Sequence, residues 1–128
     1  MSVISHGIDV TEIAEIQKQI ESETKNWLEG VYSSKERRAA PDGPESIRYF
    51  AGRFAAKEAI AKALGTGFSG AVTWDVIEVL RADSGKPIVH LTGAALECSQ
   101  ALGISNWSLS ISYTSQLAFA SVIASGEG

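Results

Sequence analysis

The sequence of 128 residues contains a single cysteine, Cys98, only three prolines and no long run of apolar residues. One cysteine excludes an internal disulfide and any metal site built from cysteine alone, so a reducing compartment is expected. No stretch approaches the roughly 18 consecutive apolar residues that a membrane-spanning helix requires. The first residues lack the basic region and apolar stretch of a secretory signal. We therefore expect a cytoplasmic protein.

Basic residues are also in the minority. Eleven Lys and Arg stand against fifteen Asp and Glu, which gives a formal net charge of −4 and a pI near 5.1. This balance disfavours general binding to nucleic acid, because such binding requires a basic surface. Hydrophobic residues make up 45% of the chain and charged residues 20%, as in ordinary globular domains.

The hydrophobic pattern predicts one α+β domain over residues 1–124 and a C-terminal tail over residues 125–128. Helical spacing and end signals predict helices over residues 11–27, 45–64 and 92–102, with a short capped helical turn at 33–38. Runs rich in β-branched residues predict strands over residues 3–10, 72–80, 88–91, 107–112 and 117–124.

The central helix carries few charges near its end. Residues 53–64 are alanine, isoleucine, leucine or phenylalanine except for four charged positions: Arg53, Lys57, Glu58 and Lys62. A helix that is apolar around most of its circumference is normally buried, and a buried charge is costly unless it is paired or binds an ion. Two interpretations stay open, a surface pair between Glu58 and Lys62 or a group that holds an ion.

Asp9 lies at the end of the first predicted strand and also has two interpretations. With Glu12 three residues later it has the form of a helix capping box. Alternatively, its carboxylate is presented at a strand end to bind a divalent cation. The glycine-rich residues 65–67 and the turn at residues 85–87 are first a helix stop and a hairpin turn, and second candidate ligand contacts.

The chain resembles the holo-acyl-carrier-protein synthase family, the small 4′-phosphopantetheinyl transferases. The resemblance is carried by GIDVTEI at residues 7–13, GRFAAKEAIAKALGTG at 52–67 and GKP at 85–87, and in part by SISYT at 110–114 and AFASV at 118–122. Order and spacing agree along nearly the whole chain. The resemblance implies a fold with a small antiparallel sheet packed against a long central helix.

The resemblance also implies a reaction and its residues. Members move the 4′-phosphopantetheine arm of coenzyme A onto a serine of an apo acyl carrier protein and release adenosine 3′,5′-bisphosphate. Mg²⁺ would be held by Asp9 and Glu58. Glu58 would take the serine proton, either directly or through a metal-bound water, and Lys62 would stabilise or protonate the departing phosphate. The residues implied in coenzyme A binding are Arg53, Lys57, Lys62, Gly65, Lys86, Pro87, Tyr113 and Thr114. The implied assembly is a homotrimer with active sites between protomers.

Two departures from the family pattern leave alternatives open. The family's usual histidine, which contacts coenzyme A, is Tyr113 here, and a tyrosine cannot become cationic near neutral pH. The first helix, often basic in relatives, is acidic here: Glu12, Glu15, Glu21 and Glu23 outnumber Lys18 and Lys25. Either the carrier protein is less acidic than usual, or other cations take over that contact, namely Lys35, Arg37 and Arg38.

Three functions are therefore compatible with the sequence. The first is a Mg²⁺-dependent phosphopantetheinyl transferase. The second is a paralogue that binds coenzyme A or carrier protein with little or no turnover. The third is a nucleotide-binding module unrelated to carrier proteins. The sequence does not distinguish a carrier of fatty-acid, polyketide or specialised lipid synthesis.

Overall fold

Helices and short antiparallel strands alternate along the chain. The computed structural model describes residues 1–127, apart from the side chains of residues 23–25. The elements are β1 (Ser2–Glu12), α1 (Ile13–Val31), α2 (Ser34–Arg38), α3 (Glu45–Ala63), a 3₁₀ turn (Trp74–Val76), β2 (Ile77–Arg81), β3 (Pro87–Leu91), α4 (Gly93–Ala101), β4 (Asn106–Tyr113) and β5 (Leu117–Gly126).

The strands form two antiparallel sheets. The larger has the order β1-β5-β4, and β2 pairs with β3 in a separate hairpin. One face of the larger sheet packs on α3, the long central helix, which contacts β1, β5 and β4. The predicted α+β class and its arrangement are confirmed. Among the residues that the structure describes, no helix combines the length and hydrophobicity needed to cross a lipid bilayer.

Small residues let α3 lie close to the sheet. Its buried positions include Ala55, Ala56 and Ala59, each with no exposed surface. On the facing strand, any side chain at Gly7 would collide with the backbone carbonyl of Ala59. Successive strand residues alternate between faces, so Asp9 points to the same side as Gly7. The close approach therefore brings Asp9 against the last turns of α3.

Three predicted boundaries are wrong. β1 continues to Glu12 because β5 pairs with it along its whole length, as far as Leu117 opposite Glu12. Helix α1 therefore begins at Ile13, and Asp9 is not its N-cap. Residues 72–76, expected as strand, precede β2 and contain the 3₁₀ turn. Residues 125 and 126, expected in the tail, extend β5, and residue 128 lies outside the described residues.

Helix α2 begins with a capping box, as the sequence predicts. The Ser33 hydroxyl accepts a hydrogen bond from the Glu36 amide, and the Glu36 carboxylate accepts one from the Ser33 amide. Such boxes usually lie at the surface, but Glu36 has no exposed area. The same carboxylate also accepts a hydrogen bond of 2.8 Å from the Val79 amide in β2. Glu36 thus links α2 to the β2–β3 hairpin.

A buried ion pair completes this junction. The Lys57 ammonium lies 2.7 Å from the Glu36 carboxylate, and both side chains are completely buried. Lys57 also donates hydrogen bonds to the carbonyls of Val31 at 2.6 Å and Trp74 at 3.3 Å. Burial lowers the pKa of the Lys57 ammonium, and the Glu36 carboxylate opposes that shift. One cation of α3 therefore joins α1, α2 and the segment that enters β2.

Replacing Lys57 by methionine is expected to lower the free energy of unfolding by about 3–5 kcal/mol, because Glu36 would keep a buried charge without a partner. The matched control is Lys18→Met. Lys18 forms a largely exposed pair with Glu15 at 3.5 Å, and its loss should cost about 1 kcal/mol or less. Urea unfolding measures both. Equal effects of the two substitutions would contradict the structural role of the buried pair.

Candidate active site

Asp9, Glu58 and Lys62 lie together where β1 passes the last turns of α3. The Lys62 ammonium is 2.8 Å from Asp9 Oδ1 and donates a second hydrogen bond, of 3.1 Å, to the Ile8 carbonyl. The Thr11 hydroxyl donates to Asp9 Oδ2 at 3.2 Å. The ion pair of Lys62 is thus made with Asp9 across the strand–helix contact, so the interpretation of Glu58 and Lys62 as a surface pair is wrong.

The charges in this cluster shift each other's protonation. Partial burial raises the pKa of the Glu58 carboxyl, the nearby Asp9 carboxylate raises it further, and Lys62 partly offsets the shift. The hydrogen bond to Asp9 is the main reason that the pKa of the Lys62 ammonium is raised. Two carboxylates and one ammonium leave the cluster with one excess negative charge at neutral pH.

The donor set of this cluster fits Mg²⁺. The two carboxylates are hard oxygen ligands, and the ammonium on Asp9 marks a place where a cation is already stabilised. Within the described part of the chain, no group of three or more His, Cys, Asp or Glu side chains is arranged to hold a metal. Two carboxylates suit Mg²⁺, which is commonly bound by one or two carboxylates with substrate phosphate and water completing its shell.

A second group of predicted residues lines a cleft of about 410 Å³ between the β2–β3 hairpin and β4. It contains Arg53, Lys86, Pro87 and Tyr113, together with Arg81, Gly85, Leu109, Ser110 and Ile111. Three of these side chains are cationic and none is acidic. The cleft is therefore suited to an anion.

Arg53 carries the strongest sign of a missing anion. Its side chain is almost fully buried, and its Nε has no hydrogen-bond partner. The guanidinium lies over the Tyr49 ring, 4.5 Å from the ring centroid. A buried charge usually has a partner of opposite charge, and the described residues place no carboxylate within 4 Å of Arg53. An anionic ligand in the cleft would supply that partner.

Tyr113 forms the wall of this cleft. Its hydroxyl lies so close to Gly52 that any side chain at that position of α3 would collide with it. The Arg48 guanidinium covers the ring at 4.8 Å from the centroid. Tyr113 is thus a packed aromatic residue that also borders the cleft.

Three residues implied in coenzyme A binding lie elsewhere in this chain. The prediction for Lys57 is wrong, because its ammonium is completely buried and engaged with Glu36. Gly65 has a φ of 82° and its amide hydrogen-bonds to the Lys62 carbonyl, so it ends α3. The Thr114 hydroxyl accepts hydrogen bonds from the amides of Gln116 and Leu117 and so shapes the β4–β5 turn.

Sequence reasoning missed Arg81, which lines the cleft beside Lys86. Arg81 is the last residue of β2 and pairs directly with Pro87 across the hairpin. Its position before a Gly-Lys-Pro turn was a usable signal, because antiparallel pairing places the last residue of one strand beside the first residue of the next.

The two groups lie on opposite flanks of α3. Arg53 and Glu58 are five positions apart in the sequence, which places them about 140° apart around a helix of 3.6 residues per turn. Between these flanks, Gly52 and Ala59 face the sheet. A single chain therefore presents the carboxylate cluster and the cationic cleft in different directions.

Glu58→Gln is expected to raise stability at neutral pH. A carboxyl whose pKa is higher in the folded state contributes stability below its unfolded pKa and loses it as pH rises through the folded pKa. The ionised Glu58 carboxylate therefore lowers the stability of the folded state at neutral pH. Thermal unfolding should show that Glu58→Gln is more stable than the unmodified protein at neutral pH and equally stable at acidic pH. The exposed Glu97→Gln is the control, and a less stable Glu58→Gln at neutral pH would contradict the account.

Known proteins resemble this chain in sequence and in fold. A model of the 4′-phosphopantetheinyl transferase superfamily matches residues 5–118. The holo-[acyl-carrier-protein] synthase of Desulfovibrio desulfuricans is 39% identical over 121 residues, which cover 94% of this chain and 96% of that protein. Two solved holo-[acyl-carrier-protein] synthases are each 32% identical to this chain.

The structure from Neisseria meningitidis has a TM-score of 0.86, and the match covers 97% of this chain and 99% of that one. The one from Helicobacter pylori, in complex with coenzyme A, has a TM-score of 0.81 and coverage of 94% and 99%. The chain therefore belongs to the holo-acyl-carrier-protein synthase family of 4′-phosphopantetheinyl transferases.

Proposed function

We propose that this protein is a Mg²⁺-dependent, cytoplasmic holo-acyl-carrier-protein synthase. It would transfer the 4′-phosphopantetheine arm of coenzyme A to a serine of apo acyl carrier protein and release adenosine 3′,5′-bisphosphate. The observation that carries the proposal is the cluster of Asp9, Glu58 and Lys62, with its two carboxylates and one ammonium. Family membership and the coenzyme A complex of the Helicobacter pylori relative support the choice of donor.

The residues of the cluster have separate tasks in this reaction. Asp9 and Glu58 would hold Mg²⁺, which when bound neutralises charge on the pyrophosphate of the donor. Glu58 would accept the proton of the attacking serine, and its raised pKa makes the carboxylate a stronger base. The serine oxygen forms the new bond to phosphorus while the bond to the 5′-phosphate of the nucleotide breaks. Lys62 would stabilise the negative charge that develops on that leaving phosphate.

The cationic cleft would bind the nucleotide end of coenzyme A. Arg53, Arg81 and Lys86 supply positive charge without a neighbouring carboxylate, and Pro87 and Tyr113 supply apolar surface. An arginine or lysine bound to a phosphate forms a charge-assisted hydrogen bond, roughly twice as strong as a neutral one. Tyr113 would contribute shape and a neutral hydroxyl in place of the histidine usual in relatives.

A complete site would require a second copy of the chain. The carboxylate cluster and the cleft face opposite flanks of α3, so the cluster of one protomer would meet the cleft of the next. Such head-to-tail contacts close into rings, and three copies form the smallest ring. The outer face of the large sheet is also apolar: Ile8, Val10 and Ile123 are 58%, 51% and 44% exposed. Burial of this face in a homotrimer accounts for its apolar character.

The decisive test is the mass of an apo acyl carrier protein after incubation with the purified protein, coenzyme A and Mg²⁺. We expect a phosphopantetheine adduct on its serine, lost when the metal is chelated. Asp9→Asn and Glu58→Gln should each abolish the adduct because either removes a ligand charge that faces the pyrophosphate. Both variants should remain folded.

The control is Glu97→Gln, which makes the same chemical change as Glu58→Gln at an exposed position of α4 and should leave the rate unchanged. Binding of coenzyme A without any adduct would instead identify a paralogue that binds and does not transfer. Near-normal rates in Asp9→Asn at low Mg²⁺ would show that the assigned metal ligands are wrong.

A further inference from the structure

Helix α1 exposes mostly acidic side chains. On helix α1 the described side chains of Glu15, Glu21 and Glu29 are exposed, and the only exposed cation among them, Lys18, is paired with Glu15 at 3.5 Å. The predicted contributions of Glu23 and Lys25 lie outside the described side chains. The outer surface of α1 is therefore acidic and would repel an acidic partner.

A second surface has the opposite charge, and we call it the basic belt. It comprises Lys35 and Arg38 of α2, Arg48 of α3, and Arg81 and Lys86 of the β2–β3 hairpin. Two adjoining clefts connect these elements. Arg48 and Arg81 line one of about 250 Å³ together with Ala39, the residue after Arg38, and Arg81 and Lys86 line the cleft described above. Arg81 and Tyr113 border both clefts, so the belt is continuous with the donor site.

Four of the five cations of the belt form no ion pair among the described residues. Within the described residues, no carboxylate lies within 4 Å of the side-chain nitrogens of Lys35, Arg38, Arg81 or Lys86. Arg48 has one exposed neighbour, Glu45, at 3.9 Å. The acidic residue nearest to Lys35 and Arg38 in the sequence is Glu36, which is buried and paired with Lys57. In a chain with a net charge of −4, these unpaired cations are available to an external anion.

We propose that the basic belt docks an acidic face of the acceptor protein, in place of the acidic helix α1. This inference rests on the proposed function. Lys35 and Arg38 lie outside the lining of the donor cleft, so they are not needed for coenzyme A. Asp42, Glu45 and Asp83 interrupt the belt, which is unfavourable for a nucleic acid backbone but compatible with a protein surface of mixed charge. Docking beside Arg81 and Tyr113 would place the acceptor next to the bound donor.

Arg38→Glu and Lys18→Glu form a matched pair for the test, because each replaces an exposed cation by glutamate, one on the belt and one on α1. Steady-state transfer to a purified apo acyl carrier protein is measured at saturating coenzyme A. We expect Arg38→Glu to raise the KM for the carrier roughly tenfold with kcat retained, because rim charges act mainly on association. The KM for coenzyme A should be unchanged. Lys18→Glu should leave the KM for the carrier within about twofold of the unmodified protein, with any change a slight rise, because it adds negative charge to a surface that the acidic carrier does not contact.

Salt and crosslinking provide independent readouts. The advantage of the unmodified protein over Arg38→Glu should shrink as ionic strength rises, because screening weakens exposed charge pairs. A zero-length carbodiimide reagent should join Lys35 to a carboxylate of the carrier. The docking proposal would be overturned if Lys18→Glu changed the KM for the carrier more than Arg38→Glu, or if crosslinks formed at Lys18 and not at Lys35. A rise in the KM for coenzyme A in Arg38→Glu would show that the basic belt binds the donor and not the carrier. If the unmodified protein formed no phosphopantetheine adduct on the carrier, the proposed function itself would be refuted.

Discussion

The buried pair between Lys57 and Glu36 is the interaction on which the rest of the arrangement depends. Removing two opposite charges from water is expensive, and the attraction between them offsets that cost only when geometry is close and other polar contacts are satisfied. Here Glu36 also accepts hydrogen bonds from the amides of Ser33 and Val79. The pair thereby fixes α2 and the β2–β3 hairpin to the middle of α3. Both the cationic cleft and the basic belt are built on these attached elements.

Helix α3 uses its charged residues in different ways along one turn and a half. Lys57 is enclosed by protein and serves the fold, whereas Lys62 is half exposed and pairs with Asp9 beside Glu58. Five residues separate the two lysines, a rotation of about 140° that carries one side chain from the interior to the edge of β1. Glycines allow both close contacts of the helix, Gly7 against Ala59 and Gly52 against Tyr113.

Much of the fold follows from local sequence signals. The central helix, its end at Gly65, the capping box at Ser33 and the hairpin turn before Pro87 all depend on residues close together in the chain. The errors arise where contacts between residues far apart in the chain determine an element boundary or the burial of a side chain. β5 extends β1 past Asp9 and removes the predicted cap. Lys57 is interior only because Glu36, which reads as a surface capping residue, is buried with it.

The candidate site was predictable only where local sequence motifs identify its residues. The cluster of Asp9, Glu58 and Lys62 follows from the family motif together with the contact of β1 and α3. The role of Arg81 and the placement of the two groups on opposite flanks of α3 depend on the hairpin and on helix rotation in three dimensions. Helical spacing alone separates Arg53 from Glu58, yet it does not reveal that each faces a different surface of the molecule.

The central claim is that the carboxylate cluster and the cationic cleft meet across two copies of the chain. It is tested with two variants that are each expected to be inactive alone, Glu58→Gln and the double variant Arg81→Glu/Lys86→Glu, which are mixed, unfolded and refolded together. Each variant retains the half-site that the other lacks. In a randomly mixed ring, about one junction in four combines two intact halves. The account predicts that transfer to the carrier returns to roughly a quarter of the unmodified rate. A mixture that refolds into rings and remains as inactive as its components would contradict it.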